Sequence, residues 1–253
     1  MSNKTNNTSQ RNSGGQPRIL VGTSGFSYKE WRGSFYPEDL PAKKYLSYYG
    51  EHFKTTEINN TFYRIPTSKL TEGWYPEVPP DFSFTLKLSQ RITHIKRLKD
   101  VDEEMKRFFD AASALKEKLG PVLVQLPPNF RKNLEVLEAF LDKFAAGRML
   151  AFEFRHQSWF EEDLYSLLAK HKCALGVVEA EKQDGNDPDE KLIKKVTGSF
   201  VYMRLRKGEY SAAETKEWAQ WIRAQPVDVY CYLKHDERAP VLAQQLLREL
   251  AQP

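Results

Sequence analysis

The sequence predicts an α/β protein, and more specifically a single (β/α)8 barrel of the TIM type. Short runs of β-branched and aromatic residues alternate with longer amphipathic segments, eight times along the chain. Strands separated by helices pair in parallel, because only a crossover returns the chain in the same direction. The chain has 253 residues, and the roughly 235 that follow a polar N-terminal stretch are enough for a minimal barrel of this kind.

The alternative is an open, doubly wound sheet. Such a sheet usually has a Gly-x-Gly-x-x-Gly turn after its first strand. The corresponding turn here, Gly22 to Gly25, lacks that spacing, and no linker divides the chain into two domains. The barrel is therefore the preferred interpretation.

The predicted strands are short apolar runs that mostly end at Gly, Pro or polar turn residues. They are residues 18–22, 53–58, 82–87, 122–126, 149–154, 173–178, 200–205 and 227–233. The predicted helices have apolar residues three or four apart, several with a start or stop signal at one end. They are residues 40–49, 68–75, 101–119, 134–144, 159–171, 190–196, 212–224 and 239–250. Residues 190–196 carry the weakest of these helical patterns.

Composition limits the function classes. Residues 1–17 are rich in Asn, Ser, Gly and Gln and lack the apolar core of a signal peptide, so we expect a disordered, dispensable tail before a barrel domain of residues 18–253. No apolar run is long enough to span a membrane. Cys173 and Cys231 stand alone in apolar stretches, which predicts buried, reduced thiols and a cytoplasmic protein. A net charge of +4 permits anionic partners without requiring them.

Polar or charged residues stand at the predicted carboxyl end of every strand, where barrels of this type place their active sites. Glu57 follows the second strand, and Glu153 lies between Phe152 and Phe154 in the fifth. Since neighbouring strand residues point to opposite faces, Glu153 should face the barrel interior if the phenylalanines face the helices. A carboxylate there needs a cationic partner.

Five stretches resemble the YecE-like family of bacterial and archaeal proteins, the domain of unknown function seventy-two. They are residues 22–37 (beginning GTSGFSYKEW), 57–66 (beginning EINNTFY), 84–94 (beginning FTLK), 120–130 (GPVLVQLPPNF) and 152–159 (beginning FEFRH). The resemblance covers nearly all of the chain after the tail. It implies a TIM-type barrel and no particular reaction.

The chain departs from the family pattern after strands six to eight. Glu179 replaces an Asp, Arg206-Lys207 replaces a His-Gly pair, and Lys234-His235 replaces amide residues. The side chains after these three strands are longer and more cationic than the family pattern, so the resemblance says least about the substrate in this half of the barrel.

The function predicted is an enzyme that acts on a small anionic, phosphorylated or sugar-like substrate by acid/base chemistry at the barrel mouth. A metal-independent hydrolase, lyase or isomerase would fit. Two other classes stay open: a barrel that processes or binds nucleic acid, and a barrel that binds a ligand without turnover. No cofactor and no membrane partner is expected, and the oligomeric state is left open.

The predicted catalytic residues are Glu57 and Glu153, which would move protons, and Lys87 and Arg155, which would stabilise negative charge. Alternatively, both glutamates form structural ion pairs with Arg155, Lys87 or Arg64. The predicted substrate-binding residues are Thr23, Ser24, Asn59, Tyr63, Gln125, His156, Trp159, Arg204, Arg206 and Lys234. Arg204 and Arg206 should share one face of their strand. No metal site is predicted, because no His-x-His or Asp-x-His spacing occurs.

Overall fold

Eight parallel strands close into a barrel in chain order in the computed structural model, which describes residues 15–179, 192–234 and 236–252. Strand β1 pairs with β2 on one side and with β8 on the other, which closes the barrel. The strands are β1 (Ile19–Ser24), β2 (Thr55–Ile58), β3 (Ser83–Lys87), β4 (Leu119–Gln125), β5 (Leu150–Glu153), β6 (Ala174–Val178), β7 (Phe200–Leu205) and β8 (Asp228–Leu233). The predicted TIM-type fold is confirmed.

Helices surround the barrel, and all of them except the short one that follows the second strand lie where the amphipathic segments predict a helix. They are α1 (Tyr45–His52), α2 (Asn60–Tyr63), α3 (Ser68–Trp74), α4 (Asp102–Ala112), α5 (Leu134–Phe144), α6 (Glu162–Lys170), α7 (Ala212–Arg223) and α8 (Ala239–Leu250). Helix α7 begins with a capping box, in which Ser211 and Glu214 satisfy each other's backbone N–H groups. Two predicted helices include whole 3₁₀ turns: Ala42–Lys44 before α1 and Ser113–Lys118 after α4.

Alternation along each strand separates two apolar layers. The larger layer lies between the barrel and the helices and contains, for example, Phe152, Phe154 and Met203. A smaller cluster fills the barrel interior with residues from alternate positions: Leu20, Leu123, Ala151, Ala174, Phe200, Tyr202, Tyr230 and Tyr232. The interior is therefore packed, and its polar groups lie toward the carboxyl ends of the strands.

The helix predicted for residues 190–196 is wrong over the part that is described, since residues 192–197 have no regular secondary structure. Instead, the Thr197 hydroxyl donates to the carbonyl of Cys173 and accepts from the Leu175 N–H, both at 2.8 Å. Lys195 contacts Glu162 at the start of α6 at 2.6 Å. These contacts tie the segment to β6 and α6, and they outweigh its weak helical preference.

Strand β4 begins three residues earlier than predicted and includes Gly120 and Pro121. The register between β3 and β4 shifts between Phe84 and Leu86, which marks an irregularity opposite this pair. Proline is tolerated in a strand at such a bulge, where its missing N–H breaks no ladder hydrogen bond. The Gly-Pro pair is therefore part of the barrel wall and does not precede it.

Other expectations concern the chain's ends and its thiols. Most of the predicted tail, residues 1–14, lies outside the described residues, and residues 15–17 are exposed. Cys173 and Cys231 are both buried and unpaired, as predicted. Within the described ranges, no helix is long and apolar enough to cross a membrane.

Gly22 permits a close approach between β1 and β2. A Cβ atom at this position would lie 2.0 Å from the Thr55 carbonyl oxygen, whereas one at the exposed Gly73 of α3 would meet nothing within 4 Å. We expect Gly22→Ala to lower the free energy of unfolding by about 1–3 kcal/mol or more and Gly73→Ala to raise it by up to about 1 kcal/mol. Urea unfolding of both variants tests this, and equal effects would contradict it.

Candidate active site

A cavity of about 710 Å³ opens at the carboxyl ends of the strands. Five cationic side chains line it, and the described lining includes no carboxylate: the cations are Lys87, Arg155, Arg204, Arg206 and Lys234. The other lining residues are Ser24, Tyr28, Asn59, Asn60, Tyr63, Gln125, Leu205 and Tyr232. The cavity therefore presents positive charge and hydrogen-bonding groups to whatever enters it.

Glu153 ends β5 behind this wall and is only 2% exposed. Its Oε1 accepts hydrogen bonds from Gln125 Nε2 at 2.6 Å, Arg206 Nη2 at 2.7 Å and Arg155 Nε at 3.2 Å. Its Oε2 accepts one from Arg204 Nη1 at 2.7 Å. The inward orientation predicted from its two phenylalanine neighbours is confirmed, and four donors occupy the carboxylate.

Glu57 on β2 is fully buried. Its Oε1 accepts from Ser24 Oγ at 2.8 Å, Arg204 Nη2 at 2.9 Å and Asn59 Nδ2 at 3.0 Å. Its Oε2 accepts from the Tyr202 hydroxyl. The two glutamates therefore share one guanidinium, that of Arg204, whose two terminal nitrogens each bind one carboxylate.

Neighbouring cations, the shared Arg204 among them, decide the protonation of both acids. Burial by itself would raise the pKa of each carboxyl group, but the cations more than offset it. Arg204 is the chief charge that lowers the pKa of Glu57, and Arg206, Arg204 and Arg155 hold the pKa of Glu153 well below its usual range. Both carboxylates are ionised at neutral pH. A proton donor or acceptor needs a pKa near the working pH, so the geometry does not favour the predicted proton-moving role for these two residues.

Lys87 has a different environment, although it is only 9% exposed. Its Nζ makes no hydrogen bond or ion pair with any described residue, and its close contact is with the ring of Phe62, 4.1 Å from the ring centroid. Burial lowers the pKa of Lys87 to about 8, with Arg204 adding to the effect while Glu153 and Glu57 oppose it. Near neutral pH both its protonated and neutral forms are therefore accessible.

Arg155 is the second cation with spare donors. Its Nε binds Glu153, while its two terminal nitrogens bind no described residue, and its side chain is 27% exposed. Arg204 and Arg206 share a strand face as predicted, but both are committed to carboxylates. The capacity to bind an added anion therefore lies mainly with Arg155 and Lys87.

Asn59 contributes an acceptor. Its Nδ2 donates to Glu57, an arrangement that fixes the orientation of the amide, and its buried Oδ1 has no hydrogen-bond partner among the described residues. An unsatisfied buried carbonyl costs about 1–3 kcal/mol. A hydroxyl group of a ligand would satisfy it.

Three predicted binding residues do not line the cavity. The Thr23 hydroxyl bonds to Tyr49 of α1 and so belongs to the layer between strands and helices. Trp159 is completely buried, and its indole N–H donates to the Phe130 carbonyl at 2.7 Å. His156 caps a 3₁₀ turn through Ser158. In contrast, Tyr63 lies at the cavity and is 72% exposed.

Sequence reasoning missed the hydroxyl groups that support the ionic cluster. Tyr202 binds Glu57, and Tyr232 bridges two threonines of β2 and β3, with its hydroxyl 2.8 Å from Thr55 Oγ1 and 2.7 Å from Thr85 Oγ1. A usable signal existed, because Tyr202 precedes Arg204 by two residues and so shares its face.

The described residues offer no set of side chains that could hold a metal ion. No three His, Cys, Asp or Glu side chains converge anywhere in the described ranges. The expectation of a metal-independent site stays a prediction.

Removing Arg204 tests the ionic cluster. We expect Arg204→Met to lower the free energy of unfolding by about 3–5 kcal/mol at neutral pH, because two buried carboxylates lose their shared partner. In the parent, lowered carboxyl pKa values stabilise the fold above the unfolded-state pKa, and this is lost as pH falls. In the variant, Glu153 keeps Arg206 and Arg155, whereas Glu57 loses the chief charge that lowers its pKa. Burial then raises the pKa of Glu57, so its protonation relieves the penalty and the difference from the parent shrinks between about pH 7 and about pH 5.

Urea unfolding across that pH range gives the measurement, with Arg107→Met on the exposed face of α4 as the control. The double change Arg204→Met with Glu57→Gln should recover part of the loss. A loss below about 1 kcal/mol that does not depend on pH would mean that the cluster is not the buried, charged network described.

Comparison with known proteins places the chain in a family. Over 116 residues it is 30% identical to the UPF0759 protein YecE of Escherichia coli (strain K12), a match that covers 46% of this chain and 43% of that protein. The matched segment thus spans less than half the length of that curated relative. A DUF72 family protein of Thermotoga maritima MSB8 has a similar structure, with a TM-score of 0.79, 29% identity, and coverage of 93% of this chain and 100% of that one.

More distant structures share the barrel alone. A sugar phosphate isomerase/epimerase from Parabacteroides distasonis ATCC 8503 has a TM-score of 0.52 at 14% identity, with 96% of each chain covered. At this identity the likeness shows the fold alone. The family model described as "Protein of unknown function DUF72" matches residues 20–253, and the chain therefore belongs to that family.

Proposed function

We propose that the chain is an enzyme that binds a small anionic, phosphorylated or sugar-like substrate in the cavity and acts on it by acid/base chemistry. The observation that carries this proposal is the cavity wall, which has five cationic side chains and no carboxylate among its described lining residues. The carboxylates that balance part of this charge are buried behind the wall, out of reach of a ligand. An anion that enters the cavity is therefore attracted by the cationic side chains, and no carboxylate of the described wall repels it.

Arg155 is the residue we assign to the anionic group. Its free terminal nitrogens can donate two parallel hydrogen bonds, which match the geometry of a phosphate or carboxylate. Glu153 binds the Nε edge of the guanidinium and so restricts the Arg155 side chain in the unliganded protein. Binding a ligand then costs less conformational entropy of Arg155. The Asn59 Oδ1 adds an acceptor for a hydroxyl group, which is the reason for including sugar-like substrates.

Lys87 takes the proton-transfer role in this proposal. A pKa of about 8 lets the amine both accept and release a proton near neutral pH. Glu57 and Glu153 instead hold Arg204 and Arg155 in position, and Ser24 and Gln125 orient the two carboxylates. A hydrolase, lyase or isomerase reaction is consistent with this division of roles.

The shape of the site favours a small ligand over nucleic acid. A protein that binds a nucleic-acid backbone usually spreads its Lys and Arg along an exposed face. Here the cations converge on one concave site, and Arg204 and Arg206 are largely buried. A steep salt dependence of oligonucleotide binding would favour the alternative.

Anion binding can be tested with inorganic phosphate and a panel of sugar phosphates, by isothermal titration calorimetry. Loss of a charge-assisted hydrogen bond costs about 1.5–3 kcal/mol, so Arg155→Ala should weaken binding by roughly 10-fold to 100-fold. The fold should survive, because Glu153 keeps Arg204 and Arg206. Arg107→Ala, on an exposed helix face, is the matched control and should bind like the parent.

If Arg155→Ala and the parent bind every anion with equal affinity, Arg155 is not the residue that binds the anionic group. Tighter binding of a single-stranded oligonucleotide than of any small anion, lost on raising the salt, would replace the proposal with the nucleic-acid alternative.

A further inference from the structure

Among the residues that the structure describes, Lys87 and Lys118 are the buried lysines, and their surroundings differ. Lys118 is 4% exposed, and its Nζ donates to the carbonyl oxygens of Tyr75 and Val78, both at 2.7 Å. Lys87 is similarly buried, yet its Nζ has no hydrogen-bond or ion-pair partner in the described part of the chain. Buried lysines are rare unless they are paired, so the unpaired amine in a cavity needs an explanation.

The nearby carboxylates are bound by other donors, and neither accepts a hydrogen bond from Lys87. Glu57 accepts from Ser24, Asn59, Arg204 and Tyr202, and Glu153 has four donors of its own. The amine lies over the Phe62 ring, and Lys87 lines the cavity. Among the described residues it is the one lysine that is buried, lines the cavity and has no hydrogen-bond or ion-pair partner for its Nζ. A desolvated lysine in such surroundings is a typical carbonyl nucleophile.

We propose that Lys87 forms a Schiff base with a carbonyl carbon of the substrate, so that the substrate class is an aldehyde or ketone that also carries an anionic group. This inference deepens the function proposed above and rests on it for the anionic group, which Arg155 would bind, but it makes Lys87 the nucleophile in place of the proton-transfer group. The Nζ lone pair forms the C–N bond while the carbonyl electron pair moves to oxygen, and the resulting carbinolamine then loses that oxygen as water.

The reaction needs no further reagent. The protonated lysine and the carbonyl compound together give a protonated iminium and one water molecule, so atoms and charge balance. The positive charge stays at the same nitrogen, and the ionised Glu57 and Glu153 still stabilise it. The iminium withdraws electrons from the neighbouring carbon, which is the activation that an isomerase or lyase reaction requires.

Reductive trapping tests the inference. The parent protein is incubated with dihydroxyacetone phosphate and sodium cyanoborohydride at neutral pH, and the adduct is located by intact mass and peptide mapping. We expect one adduct per chain, on Lys87. Lys87→Arg keeps the charge and should abolish the adduct, while Lys216→Arg, an exposed position on α7, should trap like the parent. Lys118 should stay unmodified in all three proteins.

Dihydroxyacetone, which lacks the phosphate, serves as the matched probe. If Arg155 binds the anionic group, the phosphorylated probe should trap at least about 10-fold faster, which is the effect of one good ionic contact. Arg155→Ala should remove that advantage. Glyoxylate provides a second probe, a small aldehyde with a carboxylate instead of a phosphate.

The outcomes separate the two proposals. Adducts spread over exposed lysines, equally in the parent and in Lys87→Arg, would overturn the Schiff base even if calorimetry detects phosphate binding. Specific trapping on Lys87 with no preference for the anionic probes would support the nucleophile and contradict the anion site. Trapping on Lys87 that favours the phosphorylated probe supports both.

Discussion

The guanidinium of Arg204 lies between two buried carboxylates, and the rest of the site depends on this arrangement. One terminal nitrogen binds Glu57 and the other binds Glu153, at 2.9 and 2.7 Å. The contact connects β2, β5 and β7, so it fixes distant parts of the barrel rim relative to one another. Charges this deeply buried are stable only if each keeps its partners.

The carboxylates are engaged by other donors, and one amine is left without a partner among the described residues. Arg204, Arg206 and Arg155 bind the oxygens of Glu153, and Lys87 makes no ion pair with it. Burial and neighbouring guanidinium groups then lower the pKa of Lys87, while the same groups keep the acids ionised. The charges of the ionic cluster therefore help to set the pKa of Lys87. Stability and reactivity arise from the same set of contacts.

The barrel could be predicted from the sequence because its signals are local. Alternation of strand and helix patterns, and the position of Glu153 between two phenylalanines, indicated the architecture and one inward carboxylate. The partners of that carboxylate could not be predicted, because Arg204 lies 51 residues away along the chain and its contact depends on barrel closure. Thr23 and Trp159 were misplaced because a residue near a strand end can turn toward either the cavity or the helices. The helix predicted for residues 190–196 failed over its described part because side-chain contacts of Thr197 and Lys195 compete with a weak local preference.

The cluster keeps both acids ionised and leaves Lys87 as the residue of the cavity wall whose pKa lies close to neutral pH. An NMR titration of protein that carries ¹³C at the lysine Cε measures this pKa, with Lys87 assigned through the Lys87→Arg variant. We expect one lysine signal, absent from the variant, with a midpoint at about 8. This expectation would be contradicted if the Lys87 signal titrated at the ordinary lysine value of 10.5 or above.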